Sequence, residues 1–246
     1  MDSVTTTPDD RRRVQILGVP VDACRDVSAA AVGLHARGGG RIVTLNAEMT
    51  MTARANQSLG AAIATADLVI PDGAGVVWAL SRQGVRVVRS PGIELAWTLL
   101  GYAAAHRWSV ALIGASPDVM ETLQATLRER FPDLRLTLCV DGYRPDPDWP
   151  PIEQELRSSD PDLVLVALGV PRQETWAQRV STGCNGLWMG VGGSFDVWAG
   201  AKKRAPQWMG RLQIEWLYRL VQEPSRWRRM LAIPAFMWAV WRSDQR

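Results

Sequence analysis

Three polar side chains stand where short apolar runs end, the position at which a strand of a parallel sheet would stop. Thr44 and Asn46 are two residues apart, so both can point to one face of a strand. Asp72 lies between Pro71 and Gly73, and a carboxylate there could take a proton from an attacking hydroxyl. Ligands of open α/β sheets bind beyond the carboxyl ends of the strands, so these side chains are candidates for a site.

A second group follows the apolar run 162–168. The amide of Gln173 could read a sugar hydroxyl or a uracil edge, because it offers both a donor and an acceptor. Structural alternatives stay open for all these residues: Asn46 and Asp72 could cap helices, and Gln173 with Glu174 could form the first turn of one. The residue types alone do not decide between the two interpretations.

The glycine-rich segment 190–195 resembles a phosphate-binding loop. Gly190, Gly192 and Gly193 leave backbone amides accessible to a diphosphate. The third glycine of the dinucleotide fingerprint is missing, which argues against a nicotinamide cofactor. Three cysteines and two histidines form no ligand cluster, so we predict neither a cofactor nor a metal.

The elements that must position these residues form an alternating pattern. Short β-branched runs alternate with helical patterns, which predicts an α/β fold with a Rossmann-like, mostly parallel sheet and crossover helices. The predicted strands are residues 14–17, 41–45, 67–70, 109–113, 134–140, 162–168 and 187–191. Residues 143–151 carry four prolines and are predicted to be a loop. We expect a catalytic domain over residues 1–206, with residues 1–13 disordered.

The chain changes character near residue 207. From residue 201 onward it holds ten Lys and Arg against three Asp and Glu, and five of the twelve tryptophans. Apolar residues recur at helical spacing up to Pro224, and the apolar run 230–241 is shorter than the roughly 20 residues that span a bilayer. Residues 207–246 are therefore predicted to be a helical appendage that binds a polyanion or an anionic membrane surface. Its arginines, Arg219, Arg226 and Arg229, could pair with a pyrophosphate or form a solvated basic face.

Several segments together resemble the WecG/TagA/CpsF family of bacterial glycosyltransferases, in order and with its spacing from about residue 14 to 230. They are residues 44–48 (TLNAE), 66–77 (ADLVIPDGAGVV), 89–95 (RSPGIEL), 167–174 (ALGVPRQE), 190–196 (GVGGSFD), 203–206 (KRAP), 215–220 (EWLYRL) and 223–226 (EPSR). The resemblance implies a metal-independent, inverting transfer from a UDP-sugar to an undecaprenyl-diphosphate-linked saccharide in cell-surface polysaccharide synthesis. N-acetylmannosamine, its uronic acid and glucose are the donor sugars it suggests, and teichoic acid or an exopolysaccharide the product.

The resemblance also implies roles for individual residues. Asp72 matches the general base, and Thr44 and Asn46 match residues that contact the sugar. Arg89 and Gln173 match residues that line the pocket. The C-terminal arginines, Arg219, Arg226 and Arg229, match those that hold the acceptor diphosphate or close over UDP. Glu94 departs from the pattern, since the family usually has Asp there.

Two other function classes remain open at this stage. One is an NAD-dependent oxidoreductase, which the incomplete glycine fingerprint disfavours. The other is a non-enzymatic adaptor that binds membranes or nucleic acid through its basic end; charge alone would not explain polar residues at successive strand ends, so no nucleic-acid partner is predicted. The first residues lack the apolar core of a signal peptide, and we expect a peripheral protein at the cytoplasmic face of the membrane. Self-association through the apolar appendage is a further possibility.

Overall fold

The structure is a computed structural model that describes residues 11–206, 208–209, 215–224 and 227–243, without the side chains of residues 215 and 219. It opens with a hairpin of β1 (Arg12–Ile16) and β2 (Val19–Ala23), which pair antiparallel apart from the main sheet. The prediction that residues 14–17 start the parallel sheet is wrong, because residues 14–16 belong to β1 of this hairpin. Residues 12 and 13, which were expected to be disordered, also lie in β1. Leu17 and Gly18 have positive φ angles of 53° and 82°, so the chain reverses in a two-residue turn.

A buried carboxylate attaches this hairpin to the main sheet. Asp22 is fully buried and accepts two hydrogen bonds from the Arg13 guanidinium, of 2.9 and 2.8 Å. Its Oδ2 also accepts the Val69 amide at 2.7 Å. Because Val69 lies in the strand that leads to Asp72, the hairpin helps to fix that strand.

The main sheet has six parallel strands, which confirms the predicted α/β architecture. They are β3 (Gly40–Leu45), β4 (Leu68–Pro71), β5 (Ser109–Gly114), β6 (Arg135–Val140), β7 (Leu163–Ala167) and β8 (Leu187–Gly190). Their order is β4-β3-β8-β7-β5-β6. Thr44 pairs with Ile70 and Leu45 with Pro71, so the predicted site residues at the ends of β3 and β4 are neighbours.

Helices cover both faces of the sheet. They are α1 (Val27–His35), α2 (Ala47–Ala55), α3 (Gln57–Ala64), α4 (Ala74–Arg82), α5 (Gly92–His106), α6 (Pro117–Arg130), α7 (Trp149–Ser159), α8 (Arg172–Val180) and α9 (Ser194–Trp198). One face packs on α1, α5, α6 and α9, and the other on α2, α3, α4, α7, α8 and the hairpin. The predicted loop 143–151 is partly helical, because Trp149 begins α7 and prolines fit the first turn of a helix.

The described part of the chain after the body contains the helices α10 (Glu215–Gln222), α11 (Trp227–Met230) and α12 (Ala232–Ser243). The predicted break near Pro224 lies between α10 and α11. Phe236 and Val240 of α12 are buried in the core beside α2 and α4, so this helix is anchored to the body. The domain boundary at residue 207 stays a prediction. Within the described ranges, no helix is long and apolar enough to cross a membrane.

Candidate active site

A cavity of about 630 Å³ opens at the carboxyl ends of the parallel strands. Eight predicted site residues line it: Thr44, Asn46, Asp72, Arg89, Gln173, Gly192, Gly193 and Arg229. Gly190 does not line it, since it lies behind Gln173. Arg226 and the side chain of Arg219 are outside the described residues. The fold thus brings together residues that are up to 185 positions apart in sequence.

Asp72 is held in place from three directions. Its amide donates to Leu45 O at 3.0 Å, and its carbonyl accepts from Arg89 Nε at 2.7 Å. Its carboxylate Oδ1 accepts the Gly92 amide at 2.9 Å, which is one of the amides left unpaired at the start of α5. The alternative in which Asp72 caps the next helix at Val76 is wrong, because Gly73 is the N-cap of α4 and the Val76 amide donates to Gly73 O at 3.0 Å.

Two glycines allow the strand ends and the start of α5 to approach each other. A Cβ on Gly92 would lie 2.5 Å from Thr44 Cγ2, and one on Gly73 would lie 2.9 Å from Asn46 Cβ. Both distances are shorter than any side chain tolerates. These glycines therefore let Thr44, Asn46 and Asp72 share one corner of the cavity.

Asn46 combines a structural contact with a position in the cavity wall. Its Oδ1 accepts the Met49 amide at 2.9 Å and caps α2, which confirms the helix-cap interpretation. The residue still borders the cavity. A contact between Asn46 and a sugar stays a prediction.

Gln173 bridges the loops that follow β7 and β8. Its Oε1 accepts the amides of Gly169 and Gly192, each at 3.2 Å, and its Nε2 donates to Glu174 Oε1 at 2.7 Å. The residue is buried in the first turn of α8, as the structural alternative expects. These contacts favour a supporting role for the amide, and its predicted contact with a ligand is untested.

The glycine-rich loop has fewer accessible amides than its sequence suggests. The Gly192 amide donates to Gln173, and the amide and hydroxyl of Ser194 donate to Val191 O at 3.1 and 2.7 Å. Gly192 has a φ of +51°, which suits glycine. The role of this loop as a phosphate cradle remains a prediction.

Basic residues that we did not single out from the sequence also line the cavity. Lys202, Lys203 and Arg204 follow α9 at its rim, and Arg172 lies at the start of α8. Lys202 pairs with Asp196 at 3.3 Å and with the Glu223 carboxylate at 2.7 Å. The adjacent basic residues before Pro206 were the available signal, but their position relative to the cavity depends on the tertiary fold.

Ion pairs connect the C-terminal helices and the rim to the body. Arg229 of α11 pairs with Glu48 of α2. Arg204 pairs with Glu94, the residue at which the sequence departs from the family pattern. The longer side chain of Glu94 therefore has a partner of its own across the rim. In the described part of the chain, no three His, Cys, Asp or Glu side chains are grouped to hold a metal ion.

Comparisons with known proteins show the family to which this chain belongs. The family model "Glycosyl transferase WecG/TagA/CpsF family" matches residues 14–246. A Bacillus subtilis (strain 168) protein is 33% identical over 209 residues, covering 84% of this chain and 81% of its own. A Bacillus spizizenii protein is 37% identical over 210 residues (84% and 80%), and a Staphylococcus aureus (strain MW2) protein 37% over 205 residues (81% and 78%). All three are named N-acetylglucosaminyldiphosphoundecaprenol N-acetyl-beta-D-mannosaminyltransferase. The chain belongs to the WecG/TagA/CpsF family of glycosyl transferases.

Proposed function

We propose that this protein is an inverting, metal-independent glycosyltransferase that moves an N-acetylmannosamine-type sugar from UDP to an undecaprenyl-diphosphate-linked saccharide. The names of its relatives support the acceptor and the type of sugar. Each of these relatives is matched over about four fifths of both chains. The product would enter teichoic acid or another cell-surface polysaccharide.

The observation that carries the proposal is the orientation of Asp72. Its carboxylate is fixed by the Gly92 amide beside Thr44 and Asn46 in a large cavity. An inverting transfer needs a base that takes the proton from the acceptor hydroxyl while that oxygen attacks the anomeric carbon and the bond to UDP breaks. Asp72 is the base in this proposal, and Thr44 and Asn46 contact the sugar.

The cationic wall of the cavity supports a reaction without a metal. Negative charge develops on the UDP leaving group, and fixed cations in a restricted site stabilise it. Arg89, Arg172, Lys203, Arg204 and Arg229 all border the cavity. Since donor and acceptor each carry a diphosphate, several cations at the cavity suit such a pair of substrates.

The exposed apolar residues of the C-terminal segment support a membrane-bound location. They are Trp208, Trp216, Leu217, Val221, Trp227, Leu231, Met237, Trp238 and Trp241. Tryptophan is favoured at headgroup depth, and nearby basic residues are attracted to anionic lipid. We therefore place the enzyme on the inner face of the cytoplasmic membrane, where its lipid-linked acceptor would be presented.

A donor panel tests the proposal. The full-length protein is incubated with each of several UDP-sugars and a synthetic N-acetylglucosaminyl-diphosphate-lipid, with and without EDTA, and released UDP is measured. We expect acceptor-dependent UDP release that is highest with UDP-N-acetylmannosamine and unchanged by EDTA. UDP release with none of the donors would refute the function, and loss of activity in EDTA would refute metal independence.

A further inference from the structure

A buried carboxyl group stands behind the cavity and has no part in the proposed mechanism. Glu174 is 4% exposed and does not line the cavity. Its Oε1 accepts from Gln173 Nε2 at 2.7 Å, whereas its Oε2 is buried without a hydrogen-bond partner. Burial raises the pKa of Glu174 to about 7. A buried polar atom left unpaired costs free energy, so its presence here suggests a use.

The hydrogen bond between Gln173 and Glu174 indicates what this use is. An amide side chain can be rotated to exchange its oxygen and nitrogen, and the wrong orientation would point the NH2 group of Gln173 at the amide donors of Gly169 and Gly192. Glu174 offers an oxygen acceptor to Nε2, which favours the orientation in which Oε1 faces both loops.

The neighbouring strand is shaped around this pair of side chains. A Cβ on Gly190 would lie 2.5 Å from Gln173 Nε2 and 3.0 Å from Glu174 Oε1. Any side chain at position 190 would therefore push the pair apart. The glycine at the end of β8, predicted from sequence as a ligand contact, has a packing reason of its own.

Charged groups around α8 do not provide another partner for Glu174. This helix packs on α3, β3, β7 and β8 and, through Trp176, on α7; the charged residues of these elements are Arg41, Glu153, Glu155 and Arg157. Arg41 donates to Ala62 O and Thr65 Oγ1, each at 2.8 Å. On α8 itself, Arg179 pairs with Glu153, and Arg172 donates to Gly142 O at 3.4 Å.

We propose that Glu174 is a positioning residue for sugar transfer, which holds the Gln173 amide so that its oxygen joins the Gly169 and Gly192 loops at the cavity wall. Its importance for the reaction rests on the proposed function. The contact itself is independent of any substrate, so the two can be tested separately.

Two substitutions separate the acceptor oxygen from the shape of the side chain. Glu174→Gln keeps an oxygen acceptor for Gln173 Nε2, and Glu174→Met keeps the length but removes the acceptor. Gln178→Met is the matched control, because Gln178 lies on the same helix and its amide donates to Thr65 Oγ1 at 2.9 Å, away from the cavity. Amide hydrogen exchange of the substrate-free protein is measured for peptides containing Gly169 and Gly192, together with kcat/KM for transfer.

We expect Glu174→Met to speed exchange in both peptides and to lower kcat/KM by about tenfold, and Glu174→Gln to stay within about twofold of the parent in both measurements. Gln178→Met should change neither. Parental exchange or parental kcat/KM in Glu174→Met would overturn the proposal, as would an equal loss in Glu174→Gln, since that would indicate a need for the charge or for general packing.

Gly190→Ala provides an independent test if the methionine variant does not fold. Its new Cβ would disturb the Gln173–Glu174 contact from the side of the strand, and the same two peptides should exchange faster. Unchanged exchange there would contradict the proposal. If the parent protein transfers no sugar while Glu174→Met still exchanges faster, the proposed function fails and the orienting contact stands.

Discussion

Asp72→Asn tests the proposed base and leaves the backbone contacts of residue 72 in place. In Asp72→Asn, the side-chain oxygen can still accept the Gly92 amide, while the group can no longer take a proton. We expect turnover to fall by about a hundredfold to ten-thousandfold, the range typical of general-base catalysis. The dissociation constant for UDP, measured by calorimetry, should stay close to that of the parent. Near-normal UDP release by this variant would remove Asp72 as the base.

Gly92 allows a second test at this corner of the cavity. Gly92→Ala would place a Cβ 2.5 Å from Thr44 Cγ2, so we expect reduced turnover and a loss of about 1–3 kcal/mol in the free energy of unfolding. Gly101→Ala on the same helix is the control, because its Cβ would meet Phe131 at an ordinary 3.5 Å. That change should stabilise α5 by roughly 0.5–1 kcal/mol. Equal denaturation midpoints for the two variants would contradict the crowding argument.

Glu174 also predicts how stability depends on pH. Its pKa in the folded protein is raised from 4.5 to about 7 by burial, so the folded state binds the proton more tightly than the unfolded state. The resulting stabilisation, up to about 3 kcal/mol, is present below pH 4.5 and is lost as the pH rises towards 7. We expect the melting temperature of the parent to fall more steeply than that of Glu174→Gln between pH 5 and pH 8. Parallel melting curves would show that the carboxyl group is not buried as described.

At the scale of single residues, the sequence predicted the positions of side chains in the fold better than it predicted their contacts. Asp72, Thr44 and Gln173 were expected at strand ends, and all three border the cavity. The contacts of Gln173 with Gly169 and Gly192 could not be predicted, because they depend on how two loops meet across β7 and β8. The basic residues 202–204 were not predicted to line the cavity, because their position relative to it also depends on the tertiary fold.

At the scale of elements, continuous apolar runs predicted the parallel strands well, because strands buried on both faces have few alternatives. The hairpin was missed because its turn contains only one glycine, and the second positive φ belongs to Leu17. Asp22 places a charged residue in β2, and its buried carboxylate is compensated by pairing with Arg13. Local patterns do not show such long-range compensation.

The two faces of α12 provide a test at the same scale. Phe236 is fully buried against α2 and α4, whereas Trp238 on the other face is 58% exposed. Phe236→Ala should cost about 3–5 kcal/mol in the free energy of unfolding, and Trp238→Ser should stay within about 0.5 kcal/mol. Urea denaturation measures both. Equal effects would show that this helix is not packed as described.

At the scale of the whole molecule, the basic and tryptophan-rich end is the feature that sets the chain apart from an ordinary α/β domain. Deleting everything from residue 208 would abolish transfer under our proposal, but it would also expose the core that Phe236 covers. Substitutions on the exposed face are therefore the better test, because they leave the folded body intact.

We expect Trp238→Ser with Trp241→Ser to weaken binding to vesicles that contain anionic lipid, and to reduce transfer to a lipid acceptor. Transfer to a short, water-soluble acceptor analogue should be retained. Binding of the parent protein should weaken as salt rises, since screening reduces the attraction between basic residues and the surface. Vesicle sedimentation measures the binding. Undiminished sedimentation of the double variant would exclude this face as the contact with lipid.

The anchoring of α12 has a geometric consequence. A bilayer that rested on its exposed tryptophans would meet the protein at a fixed angle, because Phe236 and Val240 lock the opposite side of that helix into the core. Arg229, three residues before α12 begins, borders the cavity. The cavity would then lie at a fixed distance from the lipid headgroups. The saccharide on the lipid acceptor would have to extend over that distance to reach Asp72.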